Sequence, residues 1–202
     1  MIVIQQNSEF VMNESNDLRS KRTRRWLQDA LRALMKKKPY QKIKIGEIAN
    51  QAEVARPTFY LHYSSKDELL LSVFDDVFSE FRASMHKELE RKNINPPLFG
   101  TMIFNCIRKN SDDLLTLLDA GVESLVEARF KEILVEICQP IREIEPLKPE
   151  ALVLVPYLDD ISASSIFALF KRWVQEGMVI PDETMGMLVA NMVKGLREMV
   201  KA

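Results

Sequence analysis

Residues 42–66 read KIKIGEIANQAEVARPTFYLHYSSK, and the spacing within this stretch decides the fold. Ile45, Ile48, Ala49 and Ala52 recur three or four residues apart, the spacing of one helix face. A break follows at Glu53-Val54-Ala55, and a second short pattern runs from Arg56 to Tyr63. Pro57 falls in the first turn of that second helix, where its missing N–H costs nothing. Helices this short cannot stand alone in water, so they need a third helix beneath them. Two short helices joined by a tight turn form a helix-turn-helix, whose second helix lies in the DNA major groove. Here that helix presents Arg56, Thr58, Tyr60 and His62, while Phe59 is spaced to face the core with Val54.

On the N-terminal side, a helix is predicted over about Leu18–Lys37, with Leu27, Ala30, Leu31, Leu34 and Met35 on its apolar face and Pro39 as its stop. Arg19, Lys21, Arg22, Arg24 and Arg25 crowd its N-terminal half, where cations oppose the helix dipole. That misfit suggests an external anion, with DNA phosphate the obvious one. On the other side, Ser65 and Glu68 form a capping box that opens a fourth helix. Its apolar face runs from Leu69 to Leu89, so one continuous helix of about 25 residues, near 37 Å, is expected. Residues 1–16 carry no helical stripe and are expected to be a mobile tail.

The stretch IGEIANQAEVARPTFYLHYSSKDELL resembles the N-terminal signature of the TetR family of bacterial transcriptional repressors. TFYLHY followed three residues later by Lys66 is the specific part, and the likeness covers about Thr23 to Leu70. The resemblance implies an all-α chain with a three-helix DNA-binding domain at residues 17–65. A larger helical bundle at 66–202 would begin with the connecting helix and serve ligand binding and dimerisation. It implies DNA contact by Lys44, Arg56, Pro57, Thr58, Tyr60, His62 and Lys66, with Arg56 reading bases and Lys44 and Lys66 holding phosphates. It also implies a double-stranded operator, near-palindromic because two copies read it, and a homodimer built from the last two helices. A small-molecule effector, not identified, would release the repressor. Two positions depart from the family pattern. Glu53 stands where a glycine is usual, and Ala55 stands where a Ser or Thr cap is usual. These departures leave open an alternative: an architectural or cell-division DNA-binding protein of this type without an inducer.

Charge is distributed unevenly, although the net charge is only -1. Residues 1–66 hold 13 Lys and Arg against 6 Asp and Glu, a balance of +7; residues 67–202 hold 15 against 23, a balance of −8. A basic small part on an acidic large part fits a DNA-contacting module on a body that stays off DNA. Cys106 and Cys138 each lie in an apolar run, which predicts buried free thiols and neither a disulfide framework nor a metal site. No apolar run is expected to reach transmembrane length, and the first residues do not read as a secretory signal, so a cytoplasmic protein is expected.

Beyond a break at Asn93–Pro97, helices are predicted at about 97–108, 112–119, 123–143, 151–176 and 182–201, with Pro156 leaving room for a separate turn over Ala151–Val155. Ser162, Ala163, Ser164, Ser165, Ala168, Gly186, Ala190 and Gly195 are small residues of the last two helices, suited to close approach of a partner helix. Met102, Phe104, Ile107, Phe130, Phe170 and Trp173 supply apolar material for an effector pocket, with Arg108 or Glu123 as a charge that would set ligand polarity. Nothing points to an enzyme. His62 and His86 lie on different helices, no Gly-rich loop follows a strand, and no carboxylate grouping resembles a catalytic pair. No cofactor is expected.

Overall fold

The computed structural model describes residues 2–92 and 94–200, with the backbone alone over residues 2–16. It is all-α, and no strand occurs among the described residues. The chain divides into two compact units, Met1–Val73 and Phe74–Ala202. The division falls inside a helix that starts at Lys66, eight residues beyond the boundary placed at 65 from the sequence.

The first unit contains α1 (Ile2–Met35), a 3-10 turn (Tyr40–Lys42), α2 (Ile45–Gln51), α3 (Arg56–Tyr60) and the start of α4 (Lys66–Val77). α1 begins at Ile2, within the stretch over residues 1–16 that the sequence suggested as a mobile tail. Leu27, Leu31, Ile48, Phe59, Tyr63, Leu69 and Leu70 are fully buried and form the core, as the helical spacing requires. One polar chain crosses it: the Gln28 side-chain amide donates to the Ser72 carbonyl (3.3 Å) and hydroxyl (3.1 Å), and Ser72 Oγ lies 3.1 Å from Tyr63 Oη. Buried polar groups tolerate burial only with partners, so this chain fixes the register of α1 against α4.

The second unit contains the end of α4, α5 (Ser79–Glu90), α6 (Pro96–Lys109), α7 (Ser111–Leu118), α8 (Glu123–Ile144), a 3-10 turn (Pro149–Leu154), α9 (Val155–Gln175) and α10 (Asp182–Glu198). The single helix expected over Leu69–Leu89 is therefore two, broken at Phe78. Three consecutive carbonyls at the break are taken by side chains. Arg82 Nη2 donates to Asp75 O (3.1 Å), Ser79 Oγ to Asp76 O (2.7 Å) and Cys106 Sγ to Val77 O (2.9 Å). Side chains inserted into the helical hydrogen-bond ladder bend or break it. Phe78 keeps its place in the core, against Phe74 and Phe130 at 4.9 and 5.6 Å between ring centroids.

Helices α6 and α10 cross with backbones in contact. A Cβ placed on Gly100 would lie 2.3 Å from Gly186 O, and one on Gly186 would lie 2.4 Å from Thr101 N. Gly186 and the buried Ala190, expected from the sequence among residues meeting a partner subunit, thus serve packing within the chain. Arg108 and Glu123, raised as pocket charges, are held in ion pairs. Arg108 Nε donates to Asp182 (2.7 Å) and its Nη2 to Met178 O (2.9 Å); Glu123 accepts from Lys171 (2.6 Å). The turn over Ala151–Val155 that Pro156 suggested is the 3-10 segment, and α9 starts beyond it.

One expectation needs correction. Among the described residues one helical stretch, Pro149–Gln175, is long and apolar enough to cross a membrane by length and composition, with mean hydropathy 1.5 over its best window. Read residue by residue, Asp159 and Asp160 divide this stretch; read over a whole window, they do not outweigh its Leu, Val, Ile and Phe content. Both carboxylates are paired to α8, Asp159 with Arg142 and Asp160 with Lys131. Only 17% of the window is buried, so much of its apolar surface is uncovered.

Candidate nucleic-acid interface

The interface is built on α3, whose placement depends on the turn before it. Glu53 adopts φ +54°, the left-handed conformation in which a glycine would be unstrained. Its N–H bonds to Asn50 O (3.1 Å) and that of Val54 to Ala49 O (3.0 Å), which closes the carbonyl end of α2. Ala55 precedes α3 and has no side-chain oxygen to cap it, while Pro57 occupies the first turn as its fixed φ allows. The departures at residues 53 and 55 thus alter the chemistry of the turn and leave its path intact.

α3 has two faces. Phe59 is fully buried and Tyr63 is 1% exposed, whereas Tyr60 is 47% and Leu61 81% exposed. Arg56 and Pro57 are exposed with them, and Thr58 and His62 are half-buried at the margin. The Arg56 guanidinium lies over the Tyr60 ring at 5.8 Å and donates to Tyr60 Oη at 3.3 Å. That contact holds two long side chains in one pose without enclosing them. Tyr60 in turn stands edge-on to Phe59 at 5.4 Å. Leu61 was not singled out in the sequence, because its spacing from Pro57 and Arg56 does not distinguish an exposed apolar side chain from a buried one.

Around this face lie further cations. Arg24 of α1 stacks over the Tyr63 ring at 5.1 Å, and Arg22 over Trp26 at 5.2 Å. His62 is held below its ordinary range, first by partial burial and then by the Arg24 charge, so its ring is neutral near pH 7. Lys44 is exposed just before α2, its backbone N–H bonded to Glu47 (2.9 Å). Lys66 has a different setting. Its ammonium donates to Tyr40 O (2.8 Å) and Ile43 O (2.9 Å) and sits 4.0 Å from the Tyr40 ring centre. Burial pushes its pKa down, with Asp67 opposing. Two of its three donors therefore fasten α4 to the segment before α2.

The expected pocket residues lie in the second unit. Phe104, Ile107, Phe130 and Phe170 are fully buried; Phe130 meets Phe170 at 5.2 Å, and Phe104 meets the buried Trp173 at 5.2 Å. Met102 is half-buried beside a shallow groove between α5 and α6. No group of His, Cys, Asp and Glu able to hold a metal occurs among the described residues. Cys106 and Cys138 are free thiols. Burial pushes the Cys106 thiol up to about 11 and raises Cys138 as well, so both stay protonated near neutral pH.

Residues 27–73 match the family model described as bacterial regulatory proteins, tetR family. The fatty acid metabolism regulator protein of Bacillus subtilis (strain 168) is 30% identical over 64 residues, 32% of this chain. That match spans 33% of the relative's own length. Two solved structures share the fold. A TetR transcriptional regulator from Streptococcus agalactiae 2603V superposes with TM-score 0.62 at 24% identity, covering 90% of this chain and 98% of that one. The dihydroxyacetone kinase operon activator DhaS does so with TM-score 0.56 at 16% identity, covering 89% and 98%. Over residues 27–73 this chain is similar to the N-terminal part of bacterial regulatory proteins of the tetR family, and its all-helical fold is shared by the two solved structures.

Proposed function

We propose that the chain is a one-component transcriptional regulator that reads a near-palindromic operator as a homodimer and represses until a small ligand releases it. The observation that carries the reading is the two-faced α3: Phe59 and Tyr63 anchor it, and Arg56, Pro57, Tyr60 and Leu61 are left facing solvent. Arg56 suits guanine O6 and N7 in bidentate fashion. Tyr60, Thr58 and His62 suit phosphate or a thymine methyl, and Lys44 with the α1 arginines suits the phosphate backbone. Lys66 acts at one remove, by fastening α4 to the segment before α2.

Dimerisation through α9 and α10 is supported by uncovered apolar surface on both helices. Tyr157 and Ile161 of α9 and Met187, Leu188 and Met199 at α10 and its end are exposed, with Ser164, Ala168 and Gly195 beside them. A single three-helix head touches few base pairs, and pairing doubles both the contact and the specificity. The protein then works where the chromosome lies, in the cytoplasm, with no enzymatic step. A salt titration tests the reading. Affinity for DNA from its own promoter region should fall steeply with salt yet exceed that for random DNA at about 150 mM. Equal affinity for every sequence would point instead to an architectural protein.

A further inference from the structure

The second unit holds a cavity of about 120 Å³ between the C-terminal half of α8, the first half of α9 and the end of α10. Most of its wall is aliphatic, including Leu134, Ile141, Leu158, Val193 and Leu196. Its charged groups belong to two ion pairs, and Ser162 and Cys138 add a hydroxyl and a thiol to the wall. Arg142 is hydrogen-bonded to Asp159, and Arg197 Nη2 lies 2.8 Å from Glu145 Oε2. The second pair is incomplete. Arg197 Nη2 is buried, and although the Glu145 oxygen is near enough to attract it, neither that oxygen nor any other acceptor among the described residues lies where its N–H bonds point. The attraction is coulombic, and buried donor capacity is left unfilled. A buried donor without an acceptor is unfavourable, so it favours any ligand that supplies one.

We propose that this cavity binds a small, uncharged molecule with an apolar body and one oxygen acceptor that receives the Arg197 N–H. Three observations set the class. The volume suits about five or six non-hydrogen atoms, since an apolar cavity of roughly 150 Å³ accommodates the six carbons of benzene. The aliphatic wall selects an apolar body. The two guanidiniums and two carboxylates already cancel, so a charged ligand would add a net buried charge. The proposal deepens the ligand-released reading by naming the effector's chemistry. It rests on that reading only for the consequence on DNA.

Calorimetric titration of the full-length protein without DNA tests it, using 2-pentanone, benzene, butanoate and pentylammonium as probes. 2-Pentanone should bind saturably and at least tenfold tighter than benzene, with both ions weaker still. Val193→Phe, which fills the space, should weaken the ketone at least tenfold. Ser162→Leu is a second filling variant should the first not fold. Arg197→Gln should remove the preference for ketone over benzene. Benzene binding as well as the ketone, an ion binding best, or no saturable binding of any probe would overturn the proposal. Ketone binding that leaves promoter-DNA affinity unchanged would keep the site and refute ligand release.

Discussion

Gly100 and Gly186 meet with no room for a side chain on either: a Cβ on Gly100 would lie 2.3 Å from the Gly186 carbonyl oxygen. Both neighbours are helix backbone and cannot turn aside as a side chain would. Gly186→Ala should destabilise the second unit by about 1–3 kcal/mol, the usual result of forcing volume into a packed crossing. Chemical denaturation checks this. Gly195→Ala is the control, because nothing lies within 4 Å of a Cβ there. If the proposed dimer forms, its loss in Gly195→Ala would report on the interface between copies and not on the α6–α10 crossing.

Glu53 adopts its positive φ without the glycine that suits it. Glu53→Gly should relieve about 1 kcal/mol of backbone strain, offset in part by the greater freedom of the unfolded glycine. It also removes a negative charge just before α3. Affinity for all DNA should rise modestly and most at low salt, measured by fluorescence anisotropy.

Lys44 and Lys66 look alike in sequence as phosphate anchors but have different surroundings. Lys44→Ala should weaken binding to all sequences similarly and lower the slope of log affinity against log salt by about 0.9. Lys66→Met should leave that slope nearly unchanged and lower the melting temperature, because it strips the Tyr40 and Ile43 carbonyls of their donor. A reduced salt slope in Lys66→Met would restore it to the DNA-contacting set.

The His62 pKa is lowered in the free protein, by burial and then by Arg24. The unfolded chain therefore takes up this proton first as pH falls. The stability His62 contributes is fully present above its ordinary value of 6.5 and is lost as pH falls through that value toward the folded one. Contact with phosphate would reverse the preference and draw the proton on. DNA affinity should rise as pH falls from about 7.5 to 6, and His62→Gln should flatten the profile. Titration of the two proteins against one DNA at several pH values reads this directly.

The helices and the buried face of the small unit could be read from sequence because their causes are local. Leu27 and Leu31 on α1 and Leu69, Leu70 and Val73 on α4 recur at helical spacing, Pro57 and Pro156 mark helix starts, and Gly177 sits at φ +77° just beyond α9. What escaped depends on partners distant in the chain. The break at Phe78 requires Cys106 to reach Val77 O, and no spacing within residues 66–90 announces that. Gly186 reads as a small residue free for a partner until Gly100 is seen against it. Lys66 has the residue type of a phosphate anchor, but only the fold brings two carbonyls to its ammonium. Exposure of Leu61 likewise follows from how α3 sits on Phe59 and Tyr63.

The central claim is that Arg56 reads a base from an exposed helix. The direct measurement is Arg56→Ala affinity for promoter DNA and for random DNA at one salt concentration. The account predicts that the ratio of specific to random affinity falls by about 5- to 100-fold, corresponding to roughly 1–3 kcal/mol per lost bidentate contact, while random affinity changes little. Equal loss on both DNAs would contradict it, placing Arg56 on the phosphate backbone.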